Sequence, residues 1–552
     1  MEERPFVHNG KTLLSGIDPV RRAERTAGAV AVRDRTLYFC PSPLYGYGLA
    51  RLLERLEKES PDSAILCIEA DPRLFELSEK SIIPSLSAGN KLRITNIREK
   101  FELCSFVRNT WGGRTFRRVE VIRFSGGWQL FPDLYDSLCE ALRSEIATDW
   151  SNAMTLTRLG RLYIRNAMRN LSLIPFFSSI ENVTYEEKPV LVLGAGPSLD
   201  ETLDALVRRF SSRLYDENRP FKIVCVDTCL GALRDRGIAA DIAVILESQY
   251  WNLRDFIGCN GWNINTAIDL SAHPGSARIL AGKGYLFFTP WTDLRIFDRL
   301  KKAELLPAVI PPLGSVGLSA MELCRRLTKG KIICAGLDFS FTFDKYHARG
   351  APGHRGRLST QTRLRGLFSA AYGEGVFASV SKSGLSVCTN PAMTNYCNLF
   401  QREFGSDSRV FDIEGPGLPL GVKTISMDEA MDMLNSEKSG INRKAAHDMG
   451  KQNDDFDKKE KILNKKLLMF LEGERNMLLE LKKILTGEGE AGQERLSFLI
   501  NECDYLWAHF PDYAGKDRQR NELGDISFLK RVRTEIEPML KLIERGCCGL
   551  LR

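Results

Sequence analysis

Four short stretches concentrate the residues that could do chemistry. The first, VLVLGAGPSLD (residues 190–200), is a run of strand formers that breaks into Gly-Ala-Gly-Pro-Ser. Gly194 and Gly196 can take positive φ and let a ligand approach the backbone closely. Pro197 suits the first turn of a helix, where its missing N–H costs nothing. Ser198 can cap that helix and donate a hydroxyl hydrogen bond. The helix SLDETLDALVRRF then aims its N-terminus, with free N–H groups and partial positive charge, past the strand end, which suits an anion. The loop has no Lys and therefore does not read as an ATPase P-loop. A strand-to-helix turn that merely needs small residues would look the same.

The other stretches supply polar groups at further strand ends. IVCVDT puts Asp227 and Thr228 at the carboxyl end of the next strand, and ADIAVILES sets Asp241 before another strand and Glu247-Ser248 after it. In a doubly wound sheet such edges are expected to share one crevice. PPLGSVGLSAMELCRRL adds a second small-residue turn, containing Ser315, that leads into a helix. KIICAGLDFSFTFDKYHARGAPGHRGR ends a strand at Gly336-Leu337-Asp338. It then runs into a loop with His347 and His354, two of the six histidines, and with Arg349, Arg355 and Arg357. A solvated basic loop would have the same composition.

These residues need a scaffold, and the pattern predicts an α/β protein with two Rossmann-like parallel-sheet domains followed by an α-helical C-terminal domain. Residues 1–150 hold the first. RTLYFC is a strand, LARLLERLEKE an amphipathic helix and SAILCIEADP a second strand ending in Glu69, about 20 residues past Gly46 and Gly48. That order fits a nucleotide or S-adenosylmethionine site with Glu69 on the ribose. It fits better an α/β scaffold without the ligand, because Tyr45 and Tyr47 make the turn bulky. Residues 151–185 read as a helical connector rich in arginine, and residues 186–425 as the catalytic domain. Its strand candidates are PVLVLGA, FKIVCVD, ADIAVILE, GYLFFTP, KGKIICAG and SRVFDIEG, separated by helical patterns. Residues 426–552 read as helical. Between 451 and 483 nine basic and seven acidic residues nearly cancel, which favours packing or partner contact over a membrane surface.

Composition narrows the classes. The chain of 552 residues is 43% hydrophobic and 27% charged, as in globular proteins, and has no transmembrane run. Its N-terminus has no apolar secretory core, so a cytoplasmic location is expected. The 14 cysteines lie mostly in apolar runs and form no CxxC pair, so neither a disulfide framework nor a zinc cluster is expected. The net charge of +7 is spread among acids and does not suggest nucleic acid.

In order and spacing, VLVLGAGPSLDETLDAL, GSVGLSAMELCRRL and GLDFSFTFDKYHARG resemble the bacterial motility-associated factors (Maf-like proteins). These are glycosyltransferases of flagellin whose core is shared with archaeal 6-hydroxymethylpterin pyrophosphokinases. SPLYGYGLARLL and ILCIEADPRLF resemble the same proteins' N-terminal domain, so the resemblance spans roughly residues 35–425. The order is also similar to bacterial sialyltransferases with a GNGPSL loop, although Ala195 stands where those have Asn.

The resemblance implies transfer of a nonulosonic, sialic-acid-like sugar from a CMP donor to Ser or Thr of flagellin, with flagellin and the nucleotide sugar as partners. No cofactor or metal would be required. It implies that Gly194, Gly196, Pro197 and Ser198 hold phosphate and ribose, and that Asp227, Thr228, Ser315 and Asp338 line the nucleotide crevice. His347, or else His354, would act as base, and Arg349 and Arg355, with Arg357 nearby, would recognise the sugar carboxylate. Two other readings remain: a pyrophosphokinase using ATP and Mg²⁺, and a non-catalytic flagellin-binding scaffold. A methyltransferase centred on Glu69 ranks below both.

Overall fold

A computed structural model describes residues 5–82, 89–112, 115–211, 214, 219–435, 452–488, 492–510 and 525–550. Parts of the expected C-terminal helical region, residues 436–451 and 511–524, lie outside the described residues. The chain divides into two units, Met1–Gly160 with Trp507–Gly524, and Arg161–Leu506 with Asp525–Arg552. The helices Gln452–Thr486, Gln493–Glu502 and Ile526–Leu550 thus belong to the second unit.

The first unit is built on a four-stranded parallel sheet in the order Leu92–Thr95, Ala64–Ile68, Thr36–Pro41, Arg118–Val121. The period of two along its strands explains why both faces are covered. Leu37 and Phe39 join a core with Leu103 and Leu138, whereas Tyr38 and Cys40 join another with Leu52 and Leu56 from the helix Leu49–Glu59. Such strands have no polar face to offer water, so they read as continuous apolar runs.

The second unit holds a ten-stranded sheet. Nine strands run in the order Ala308–Val309, Gly284–Phe288, Asn265–Asp269, Ile242–Ile245, Lys222–Val226, Val190–Leu193, Ile332–Ala335, Val410–Ile413, Lys423–Ile425, and Ser178–Ser179 pairs with Gly284–Phe288. Every pairing is parallel. The six strands expected from the sequence are present. Asn265–Asp269 was not expected, because its apolar run is short and framed by polar residues.

The winding matters most for function. From Val190–Leu193 the chain adds successive strands on one side as far as Ala308–Val309. It then returns to place Ile332–Ala335 and the later strands on the other side. The reversal lies between two adjacent strands, Val190–Leu193 and Ile332–Ala335, and their carboxyl ends therefore bound the crevice where doubly wound folds bind ligands.

Candidate functional site

The glycine loop leaves the sheet at this reversal and is clasped by the loop opposite. Gly194 N–H donates to the Ala335 carbonyl at 2.8 Å and Gly196 N–H to the Gly336 carbonyl at 2.8 Å. Asp338, 2% exposed, accepts from Ser198 N–H at 2.8 Å and from the Ser198 hydroxyl at 2.6 Å. Burial raises the Asp338 carboxyl above its usual range, opposed by these bonds. The sequence suggested positive φ at Gly194 and Gly196; of the three glycines at this junction only Gly336 has it, at +69°. The first two are small for a different reason. A Cβ on Gly194 would overlap the Gly336 carbonyl, and one on Gly196 would overlap the Asp338 carboxylate.

Nor does the Ser198 side chain cap the helix Leu199–Phe210, since it is turned to Asp338. Pro197 lies in the turn before that helix, and its carbonyl accepts from Lys345 Nζ at 3.2 Å. The carboxylate bonded at this helix N-terminus is the protein's own. The turn holding Ser315 joins the junction from the side: Gly317, in the helix Val316–Leu327, leaves room for Leu337, which would stand 2.7 Å from an added Cβ.

Asp200, in the first turn of the Leu199–Phe210 helix, organises the next layer. It pairs with Arg236 at 3.1 Å and Lys345 at 2.9 Å, and accepts from Arg349 N–H at 3.0 Å. Ala348 N–H reaches the Ala195 carbonyl at 2.9 Å. Together these contacts hold the 345–350 loop across the glycine loop and set His347 beside it.

His347 lines a cavity of about 680 Å³ with Thr228, Arg254, Asp255, Gly356, Arg357 and Arg365 among its other walls. Burial first, then the positive charge of Arg357, pushes the His347 imidazole down to about 4. It is therefore neutral at physiological pH. Gly353 has to be glycine, since a Cβ there would sit 2.6 Å from His347 Nδ1.

Behind Thr228 lies a pair of carboxylates. Asp227 is 2% exposed; its Oδ1 accepts from Thr228 N–H at 2.8 Å and its Oδ2 from Asn252 Nδ2 at 2.6 Å. Asp255 Oδ2 accepts from the same two partners, Thr228 Oγ1 at 3.5 Å and Asn252 Nδ2 at 3.4 Å. Burial, and then the neighbouring Asp255 charge, pushes Asp227 up to about 7; burial pushes Asp255 up to about 6. Asp255 also faces the cavity. A carboxylate so placed can take a proton from a hydroxyl near neutral pH, which suits it to general base chemistry better than an imidazole held near 4.

The structure thus brings Gly194, Gly196, Ser198 and Asp338 together at the junction, and Thr228 and His347 together at the cavity, with Asp227 directly behind. Of the other expected residues, Pro197 and Ser315 lie in turns at the junction and Arg357 lines the cavity, whereas His354, Arg349, Arg355 and Asp241 lie elsewhere. His354 is 6% exposed and is not among the cavity's lining residues. Arg349 contributes its main chain to Asp200, and Arg355 pairs with Asp235. Asp241, expected in the crevice, precedes its strand and so sits at the opposite edge of the sheet, paired with Arg219 and Lys222. Sequence reasoning missed Asn252, Arg254, Asp255 and Arg365. The only signal for the first three was their place just past a strand's carboxyl end, in the 3₁₀ run Tyr250–Phe256.

In the first unit, Glu69 is fully buried and engaged by the Ser42 hydroxyl at 2.6 Å and Asp71 N–H at 3.2 Å. Gly46 and Gly48 have positive φ, and added Cβ atoms would strike Ile82 and the Ala23 carbonyl. These groups are engaged within the unit.

Comparison with known proteins follows the same geometry. Residues 162–344 match the family model "6-hydroxymethylpterin diphosphokinase MptE-like". An uncharacterized protein of Treponema pallidum (strain Nichols) is 30% identical over 535 residues, covering 95% of this chain and 90% of its own. The solved Maf glycosyltransferase from Magnetospirillum magneticum AMB-1 superposes with a TM-score of 0.51 at 12% identity, over 99% of this chain and 85% of that one. The chain belongs to the family of the Treponema protein; it carries an MptE-like domain at residues 162–344 and shares the fold of the Maf glycosyltransferase.

Proposed function

We propose that the protein is a glycosyltransferase that moves a nonulosonic sugar from a CMP donor to a Ser or Thr hydroxyl of flagellin, in the cytoplasm, in support of flagellar assembly and motility. The cavity carries the reading: past the carboxyl ends of Lys222–Val226 and Ile242–Ile245 it sets a proton acceptor, Asp255, and arginines together with His347, whose loop packs across the glycine loop. The fold shared with a Maf glycosyltransferase agrees with it.

In the reaction the acceptor oxygen bonds to the anomeric carbon as the carbon–oxygen bond to phosphate breaks. CMP leaves with the electron pair, and the hydroxyl proton passes to a base. Asp255 is the better matched base, and His347, neutral, forms part of the wall of the same cavity. CMP departs as a stable anion, so the reaction proceeds without a metal and survives EDTA. Intact-mass measurement of flagellin from cells lacking the gene tests the reading. A mass unchanged from wild type would sink it.

The family-model match supports a second reading, a pyrophosphokinase using ATP and Mg²⁺. Asp255 would be the carboxylate available to the metal, because both Asp227 oxygens are bonded within the protein. Thermal stabilisation by ATP with Mg²⁺ and not by CMP would favour this alternative.

A further inference from the structure

The arginines around the cavity differ from their neighbours. Nearby basic groups are committed: Arg236 to Asp200 and Asp204, Lys345 to Asp200, Arg355 to Asp235. Arg254, Arg357 and Arg365 form no ion pair with any carboxylate among the described residues, yet all three line one cavity. Arg254 lies over the Trp251 ring at 5.2 Å, with its Nε donating to the Trp251 carbonyl at 3.4 Å, and Arg357 lies over the Tyr346 ring at 4.6 Å, so two of the guanidiniums are braced by aromatic faces that leave their terminal Nη donors free.

The wall between them is kept bare. Gly356, in the helix Pro352–Ser359, lines the cavity, and a Cβ there would meet nothing within 4 Å. A glycine inside a helix costs about 1 kcal/mol relative to alanine, and no packing contact at Gly356 requires it. The glycine loop itself has few donors to spare, because the N–H groups of Gly194, Gly196, Ser198 and Leu199 are all bonded within the protein.

We propose that Arg254, Arg357 and Arg365 form the anion-binding site of this protein, and that its ligand carries at least two negative groups. Three unpaired guanidiniums around one opening exceed what a single monoanion needs, and Asp255 offsets only one of them. A phosphate accompanied by a second phosphate or by a carboxylate satisfies the site. The site stands whichever nucleotide is used; it keeps Arg357 of the arginines expected from the sequence and replaces Arg349 and Arg355 with Arg254 and Arg365.

Binding to the full-length chain is measured by calorimetry and thermal shift with three probes: inorganic pyrophosphate, CMP and CMP-N-acetylneuraminate. Pyrophosphate should bind, and Arg254→Gln, Arg357→Gln and Arg365→Gln should each weaken it by about tenfold to a hundredfold, as for the loss of a hydrogen bond to a charged group. Gly356→Leu should weaken it as well by filling the opening. Melting without ligand reports folding. If the second anion is a carboxylate, CMP-N-acetylneuraminate binds tighter than CMP, and the margin shrinks in the arginine variants; if it is a phosphate, pyrophosphate keeps the advantage. Failure of all three probes to bind, or affinities unchanged in the three folded variants, would overturn the inference. CMP binding that ignores these arginines would remove the site and spare the glycosyltransferase reading. Flagellin of unchanged mass with arginine-dependent pyrophosphate binding would do the reverse.

Discussion

Gly196→Ala should unfold the junction rather than simply block a ligand. The added methyl would overlap Asp338 Oδ2 and lie 2.7 Å from both Asp338 Cγ and the Gly336 carbonyl oxygen. Neither neighbour can give way cheaply. Asp338 is fixed by two bonds to Ser198, and the Gly336 carbonyl holds Gly196 N–H at 2.8 Å. Keeping the contacts leaves an overpacked core at about 1–3 kcal/mol. Separating the loops sacrifices hydrogen bonds to a buried carboxylate at about 1.5–3 kcal/mol each. The cheaper route sets the cost, so the expected loss is about 1–3 kcal/mol. Urea denaturation of the variant beside Gly356→Ala provides the contrast, since the second change sits in a helix with open space around it and should gain up to about 1 kcal/mol. If Gly196→Ala is as stable as wild type and loses only ligand binding, the glycine serves ligand approach and the interlocked-loop argument fails.

Three further outcomes are expected. Asp227 has its folded pKa near 7, above the ordinary 3.8, so the folded chain retains a proton that the unfolded chain releases between those values. The stability this protonation confers is complete below about pH 4 and lost as pH rises to about 7; Asp227→Asn should flatten that fall between about pH 4.5 and 7.5, and equal slopes in both proteins would contradict the assignment. In a transfer assay the acid limb of the rate profile should lie near pH 6–7, from the Asp227–Asp255 pair, and persist in His347→Asn. A limb that shifts with the histidine would restore His347 as the titrating base. Glu474, whose side chain is 1% exposed, makes a two-point pair with Arg299 at 2.7 and 2.9 Å that fastens the Gln452–Thr486 helix to Arg295–Lys302. Glu474→Ala should cost about 3 kcal/mol in chemical denaturation, and a cost below about 1 kcal/mol would mean that Glu502 alone suffices for Arg299.

The local alphabet of this chain was sufficient for its long apolar strands, though not for Asn265–Asp269. A strand buried on both faces must be apolar at every position, and VLVL, KIVCV, IAVI and IICA could be read as parallel strands for that reason. The Gly-Ala-Gly-Pro-Ser turn, the GLDF strand end and the polar groups after strands were visible too, because small and polar residues interrupt those runs. Their partners were not visible. Ser198 and Asp338 are 140 residues apart, and only the reversal of strand order between Val190–Leu193 and Ile332–Ala335 makes them neighbours. The same folding decided which charges cancel. Asp235 claims Arg355 and Asp200 claims Lys345, while Arg254, Arg357 and Arg365 form no ion pair among the described residues and share a cavity with one carboxylate, Asp255. Residue type and local period reside in the sequence. Whether a charge is buried, paired or left free depends on long-range neighbours, and those exist only once the sheet is assembled.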